Sequence, residues 1–147
     1  MAEPASDQLR IRLVTPERTL IECDAASVEL PSKSGYMEVL YGHAPLMAEL
    51  GAGDVTLRGC ADGAGEDTRY NVSWGFVEVL PGRVTILASD ALKPEEIDVK
   101  RAEQQLDRGL KMWKEAGESE EAYDEALRVI SEAEAKIASS GESIKTH

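Results

Sequence analysis

The first ninety residues consist of short runs of apolar residues, several of them alternating with polar residues, between turn-forming residues. Leu9, Ile11 and Leu13 alternate with Arg10 and Arg12, which is the two-residue period of a half-buried strand. Further runs predict strands at 27–30, 37–40, 55–57, 69–73, 76–80 and 83–88. Short strands at this spacing are typical of an antiparallel β-sandwich or barrel.

Turn-forming residues separate these runs. Pro81-Gly82 joins the runs 76–80 and 83–88, and this pair predicts a tight hairpin. The other turn signals are Pro16, Pro31, Gly35, Gly51, Gly53 and the Asp62-Gly63-Ala64-Gly65 cluster.

At Pro94 the hydrophobic period changes from two residues to three and four. Proline followed by Glu95, Glu96 and Asp98 is typical of a helix N-terminus, where the helix dipole favours acidic side chains. One apolar stripe then contains Val99, Ala102, Leu106, Leu110 and Trp113, and a second contains Tyr123, Ala126, Leu127, Ile130, Ala133 and Ile137.

These stripes predict two amphipathic helices that form an antiparallel hairpin. Ala116-Gly117 ends the first helix, and Ser119 is placed to cap the second. Gly109 predicts close approach of the helices, and Trp113 and Tyr123 are expected to pack at the tip. The polar residues after Ile137 are expected to fray. We therefore predict a β-sandwich domain at 1–93 and a helical hairpin at 94–147.

The formal net charge of -12 disfavours nucleic acid and anionic membranes as direct partners, because both attract clustered Lys and Arg. It favours basic protein partners. The chain has no run of about 18 apolar residues, so we expect no membrane-spanning helix. Residues 1–8 lack the pattern of a signal peptide, so we expect a cytosolic location. Cys23 and Cys60 are expected to be free thiols in that compartment.

The inventory of reactive side chains predicts no catalytic and no metal site. The chain has two histidines, His43 and the terminal His147, which are too few for a three-histidine metal site or a credible Ser/His/Asp triad. His43 is expected either to bond locally or to face a partner. A small β-barrel enzyme is therefore disfavoured.

Asp98, Arg101 and Arg108 are spaced by three and by seven residues, which brings them toward one face of the first predicted helix. Such a trio is either an ordinary salt-bridge face or a small anion-binding face. The spacing alone leaves both interpretations open.

Several sequence blocks, taken in order, resemble the epsilon subunit of bacterial-type F-type ATP synthases. The blocks are Val14-Thr15-Pro16-Glu17, then Gly42-His43-Ala44-Pro45-Leu46, then residues 75–88 with Glu78-Val79 and Val84-Thr85-Ile86-Leu87-Ala88. The predicted helical hairpin follows at the expected place. The resemblance covers roughly residues 9–138, and its specificity lies in the order and spacing of the blocks.

This resemblance implies a β-sandwich followed by two helices, and a non-catalytic rotor subunit of the central stalk. Its partners would be the gamma subunit, the ring of c subunits and the alpha/beta catalytic head. It would couple proton flow through the ring to ATP synthesis, and its helices would inhibit ATP hydrolysis. It would be peripheral, at the cytoplasmic face of the bacterial plasma (inner) membrane, without direct membrane insertion. The alternative is a free-standing β-sandwich adaptor with a helical arm for another protein.

Two sets of site residues follow from the resemblance. The surface that contacts the c ring or gamma would contain Tyr36, Met37, Glu38, Gly42, His43, Ala44 and Pro45. The family often has glycine where Glu38 stands and proline where Tyr41 stands.

Some family members bind regulatory ATP through an Ile/Leu-Asp-x-x-Arg-Ala motif and a later arginine. That pattern matches Ile97, Asp98, Arg101, Ala102 and Arg108. Two positions depart from it: Leu92 stands where some binders carry an acidic residue, and the second helix offers only Arg128 where binders can supply two arginines. No other cofactor is expected.

Overall fold

The computed structural model describes residues 7–60 and 67–145, with side chains described as far as Ser140. The strands are β1 Leu9–Val14, β2 Thr19–Ala25, β3 Ser27–Ser32, β4 Gly35–Leu40, β5 Leu46–Leu50, β6 Gly53–Arg58, β7 Thr68–Leu80 and β8 Arg83–Leu92. A 3-10 helix at Pro94–Glu96 precedes α1, Val99–Glu115, and α2, Glu120–Lys145. The predicted class, a β-sandwich followed by a two-helix hairpin, is confirmed. The Asp62-Gly63-Ala64-Gly65 turn signal lies outside the described residues.

The strands are hydrogen-bonded in the order β2-β1-β8-β7-β5-β3-β4, and β6 pairs with both β3 and β7. β1 and β8 are parallel, with Leu13 beside Ile86, whereas the other pairs whose register is known are antiparallel. The N-terminal strand therefore lies beside the last strand of the sandwich, although the six other strands separate the two in the sequence.

β7 is a single long strand where the sequence predicts two separate runs. Its first part pairs with β6, with Val72 beside Gly53, and its last part pairs with β5, with Val77 beside Ala48. The change of partner occurs at Trp74 and Gly75, which have positive φ angles of 50° and 142°. The gap in the apolar pattern thus marks an irregularity inside one strand. This irregularity lets β7 pair first with β6 and then with β5.

The structure contains two strands, β2 and β5, that the sequence pattern did not predict. In β2 the residues that point inward are Ile21, Cys23 and Ala25, and small residues at two of these positions weaken the strand signal. β5 begins at Leu46, directly after the Gly42–Pro45 segment, so its strand pattern is short and adjoins a turn.

The core is aliphatic, as a chain with few aromatic residues requires. β1 contributes Leu9, Ile11 and Leu13, and β8 contributes Val84 and Ile86, all fully buried. Tyr70 is the one aromatic residue in the buried cluster among the described residues. Regular inward-outward alternation along β1 and β8, which are neighbouring strands, places two adjacent rows of side chains on the buried face of the sheet.

Cys23 and Cys60 form a disulfide, so the expectation of two free thiols is wrong. Their Cα atoms are 5.9 Å apart, well within the range that a disulfide requires. The residues are 37 positions apart in the sequence, and only the folding of β2 and β6 into one sandwich brings them together.

The hairpin begins and turns where the sequence predicts. Asp98 caps α1 through its side chain, which accepts a hydrogen bond from the Arg101 backbone N–H at 3.2 Å. Ser119 caps α2, because its hydroxyl accepts a hydrogen bond from the Ala122 N–H at 3.2 Å. The helix then continues to Lys145, so the expected fraying after Ile137 is wrong for residues 138–145. Residues 146–147 lie outside the described part of the chain.

Small residues form the contact between α1 and α2. The stripes contribute to this seam mainly through their alanines, whereas Leu110, Trp113, Tyr123 and Leu127 remain 39–44% exposed. Trp113 and Tyr123 pack against each other as expected, with ring centroids 6.4 Å apart. The buried small residues are Ala102, Gly109, Ala116, Ala126, Ala133 and Ser139.

Candidate functional site

The chain folds into two compact units, Met1–Ala91 and Leu92–His147, and each carries one set of the predicted site residues. In the first unit, β4 carries Tyr36, Met37 and Glu38. Tyr36 is 58% exposed, yet its hydroxyl accepts a hydrogen bond from the Asp54 N–H at 2.9 Å. Its ring is therefore held against β6 with one face toward solvent. Met37 packs against the core and is a structural residue.

Glu38 belongs to a charge network centred on Arg58. The Arg58 guanidinium lies 3.0 Å from the Glu29 carboxylate, 3.2 Å from Asp67 and 3.9 Å from Glu38. All four side chains are partly solvent-exposed, so each pair adds little to stability. The network leaves this part of the surface acidic, since three carboxylates surround one cation.

The segment from Gly42 to Pro45 joins β4 to β5 and touches the β7–β8 turn. Gly42, with φ of 91°, donates its N–H to the Pro81 carbonyl oxygen at 2.7 Å. His43 bonds locally, because its Nδ1–H donates to the Ala44 carbonyl oxygen at 2.7 Å. The structure thus brings together two of the three sequence blocks that carry the resemblance, Gly42–Leu46 and residues 75–88. It assigns the His43 ring to shaping the loop. Ala44 and Pro45 are exposed.

The sandwich also exposes large apolar side chains that sequence reasoning missed. On the outer side of β5 and β7, Met47 lies opposite Glu78 and Phe76 lies opposite Glu49, so Met47 and Phe76 are diagonal neighbours. They are 68% and 51% exposed. The other exposed apolar residues of this unit are Leu40, Tyr41, Leu46 and Leu87. A Phe next to the inward-pointing Val77 was the available signal, since strict alternation would place a polar residue there.

These exposed side chains are mounted on a rigid frame. Phe76 directly follows Gly75, whose backbone approaches the Leu87 carbonyl of β8 so closely that a Cβ atom would overlap its oxygen. Exposed apolar groups on well-packed strands are typical of a protein–protein contact surface. We call the diagonal pair Met47 and Phe76 the apolar surface of the sandwich, and Leu40 and Tyr41, at the end of β4, are exposed in addition.

In the second unit, the five candidate nucleotide-binding residues divide into two groups. Ile97 and Ala102 are buried, and the Asp98 carboxylate caps α1, so these three have structural roles. Arg101 and Arg108 are exposed. They lie seven residues apart, two helical turns and about 10 Å along the axis, on the same side of α1. The structure therefore leaves two arginines available to an anion on this face.

Within residues 7–60 and 67–140, no group of three or more His, Cys, Asp or Glu side chains is arranged to hold a metal ion. In the same part of the chain, neither long helix is apolar enough to cross a membrane.

Comparison with known proteins gives consistent matches over both units. Residues 8–105 match the family model of the ATP synthase Delta/Epsilon chain β-sandwich domain. The ATP synthase epsilon chain of Koribacter versatilis is 44% identical over 102 residues, which cover 67% of this chain and 67% of that protein. The epsilon chain of Solibacter usitatus is 38% identical over 134 residues, covering 90% and 95% of the two chains.

Two solved structures share the fold. One is a chain in the Euglena gracilis mitochondrial ATP synthase (OSCP/F1/c-ring), with a TM-score of 0.73 and 23% identity, covering 94% of this chain and 83% of that one. The other, from the central stalk/c-ring of the Tetrahymena thermophila mitochondrial ATP synthase, has a TM-score of 0.64 and 14% identity, covering 90% and 96%.

Proposed function

This chain belongs to the family of ATP synthase epsilon chains, and we propose that it acts as a non-catalytic central-stalk subunit of the rotor. In this role it binds the gamma subunit and the c ring and couples proton flow to ATP synthesis. It is peripheral, at the cytoplasmic face of the bacterial plasma membrane. The exposed apolar side chains on packed strands fit a binding subunit.

The observation that carries this proposal is the apolar surface of the sandwich. Met47 and Phe76 are more than half exposed on adjacent strands, and Tyr41 and Leu40 lie at the end of β4. A surface of this kind gains free energy when a partner covers it, by about 25 cal/mol for each Å² of apolar area removed from water. In the assembly, gamma and the c ring are the partners that we propose cover this apolar surface.

We further propose that the hairpin inhibits ATP hydrolysis by binding the alpha/beta head. Leu110, Trp113, Tyr123 and Leu127 remain exposed on the hairpin. A helical pair that leaves four large apolar side chains exposed gains stability from a partner that covers them.

Cutting the chain after Lys93 tests this inhibition. We expect the reconstituted alpha-beta-gamma head to hydrolyse ATP more slowly with the full chain than with residues 1–93, because only the full chain can place α1 and α2 on the head. Steady-state ATP hydrolysis measures the difference. Co-purification of both forms with gamma is the control that the sandwich still binds.

Two outcomes would contradict parts of the proposal. Equal hydrolysis rates, with both forms bound to gamma, would remove the inhibitory role and leave the coupling role. Failure of both forms to bind gamma would favour the free-standing adaptor.

We also propose that Arg101 and Arg108 bind the phosphates of a regulatory ATP on α1. Replacing Arg101 with alanine is expected to weaken ATP binding by about tenfold or more, because a hydrogen bond to a charged group contributes about 1.5–3 kcal/mol. Calorimetric titration of the full chain with ATP measures the effect. Lys114→Ala removes one exposed positive charge from another side of α1, near its C-terminal end, and is the matched control. Equal affinity in the parent and in Arg101→Ala would place any site elsewhere.

A further inference from the structure

The disulfide between Cys23 and Cys60 joins parts of the sandwich that no strand ladder joins directly. Cys23 lies on β2, which pairs with β1, and Cys60 follows β6, which pairs with β3 and β7. Because the chain has two cysteines, no alternative intramolecular pairing exists. The cross-link closes a loop that contains all of β3, β4, β5 and β6.

Both sulfur-bearing side chains lie inside the core. Cys23 is 4% exposed and Cys60 is fully buried, and both belong to the same cluster as the inward residues of β1 and β8. The chain directly before Cys60 is also held, because the Arg58 carbonyl oxygen accepts the Ala26 N–H at 2.8 Å. The Gly59 N–H donates to Asp67 at 3.4 Å.

We propose that the folded sandwich shields this disulfide from thiols and oxidants, so that the redox state of Cys23 and Cys60 changes only when the sandwich opens. A thiolate must reach one of the two sulfur atoms in order to exchange with the disulfide. In the closed sandwich the surrounding side chains occupy that approach. The same burial protects the dithiol form from oxidants, so each chain retains the redox state in which its sandwich closed.

The chemistry of the two directions balances through thiol–disulfide exchange. In oxidation, the two protein thiols react with one small-molecule disulfide, such as oxidised glutathione. The protein disulfide forms, and two small thiols leave with the two electrons and two protons. In reduction, dithiothreitol attacks one sulfur atom, a mixed disulfide forms, and ring closure of the reagent releases both protein thiols.

The test measures how fast excess dithiothreitol reduces the disulfide in the full chain, with the new thiols counted by a mass-adding maleimide after acid quenching. We expect reduction under native conditions to be at least about 10³-fold slower than in urea-unfolded chain, because only the rare open form reacts. The rate should rise steeply with urea below the unfolding midpoint, since urea increases the open population.

Two variants provide matched controls. Gly75→Ala, which disturbs the sandwich without touching either sulfur, should accelerate reduction on the order of 100-fold. Gly109→Leu, which disturbs the hairpin, should leave the rate unchanged. If Gly75→Ala does not fold, the reduction rates of the parent chain at increasing urea concentrations provide the same test.

Two results would overturn the proposal. One is native reduction as fast as in the unfolded chain, or independent of urea, because it would mean that reagents reach the sulfur atoms in the closed sandwich. The other is a folded dithiol chain that oxidised glutathione converts to the disulfide as fast as it oxidises the urea-unfolded chain, because the closed sandwich would then not shield the thiols.

Discussion

Replacing Gly75 with alanine is expected to destabilise the sandwich by about 3 kcal/mol or more. Two independent effects add at this position. The φ angle of 142° lies in a region that residues with a Cβ rarely adopt. The new Cβ would also overlap the Leu87 carbonyl oxygen and lie 3.0 Å from its carbon and 3.2 Å from the Ala88 Cα. These are backbone atoms of β8, so relief requires β7 and β8 to separate.

Urea unfolding of the full chain, followed by far-UV circular dichroism, measures this change. Gly42→Ala is the matched control, because Gly42 has a φ of 91° but no atom lies within 4 Å of the place that its Cβ would take. It isolates the cost of the backbone conformation, which we expect to be about 1 kcal/mol. Equal losses in the two variants would show that β8 yields at Leu87, and the account of a rigid frame beneath Phe76 would then be wrong.

Replacing Gly109 with leucine is expected to separate α1 from α2. A Cβ atom at Gly109 would lie 2.8 Å from Ile130 Cγ1 and 3.2 Å from the Ile130 backbone nitrogen. Leucine adds three more carbon atoms in that direction. Overpacking costs about 1–3 kcal/mol, which exceeds the gain of about 1 kcal/mol from replacing a mid-helix glycine.

The measurement is the loss of helical circular dichroism and the change in Trp113 fluorescence, because Trp113 packs on Tyr123 only in the closed hairpin. Asp107→Leu places the same side chain at an exposed position of α1 and is the matched control. Gly109→Ala is also expected to lose some helicity. Adding Ile130→Ala to that variant should recover part of this loss, because it removes the Ile130 Cγ1 atom that the new Cβ meets. A Gly109→Leu chain with parental helicity and fluorescence would show that the two helices do not depend on close contact there.

The inhibition of hydrolysis connects to this second prediction. If the exposed apolar side chains of the hairpin bind the head, a hairpin opened at Gly109 presents them in a different arrangement. We therefore expect Gly109→Leu to inhibit ATP hydrolysis less than the parent chain, while its sandwich still binds gamma. Gly109→Leu changes the arrangement of the hairpin, whereas the cut after Lys93 removes the hairpin altogether. Comparing ATP hydrolysis with the two chains therefore separates the effect of the hairpin's arrangement from the effect of its presence.

Local patterns in the sequence were sufficient for much of the architecture. Alternation at Leu9, Ile11 and Leu13 predicted β1, and the change of period at Pro94 predicted the helices with the cap at Ser119. Such signals are local because side-chain direction repeats every two residues in a strand and about every 3.6 in a helix. Strands with small inward residues, such as Cys23 and Ala25 in β2, produce weak versions of the same signal and were missed.

The candidate site was predictable only in part. The Gly42–Pro45 block was recognised from its residues, but the sequence did not show that the Gly42 N–H donates to the carbonyl oxygen of Pro81, which lies within the 75–88 block. Asp98 was correctly placed at a helix N-terminus, and its carboxylate proved to cap the Arg101 backbone N–H. The apolar surface with Met47 and Phe76 escaped detection because exposure depends on which strands lie alongside, and pairing partners come from distant parts of the chain.

The sequence by itself determined the two-part organisation, the aliphatic core and the helical hairpin, because each depends on periodicity and composition within a short window. Gly109 also predicted the close approach of the two helices at that point, which the structure confirms. Only the tertiary structure decided two other features: the disulfide between Cys23 and Cys60, and the change of partner within β7 at Gly75. Each depends on how closely two distant segments approach. That distance is set by packing of the whole unit, and no local pattern of apolar and polar residues contains it.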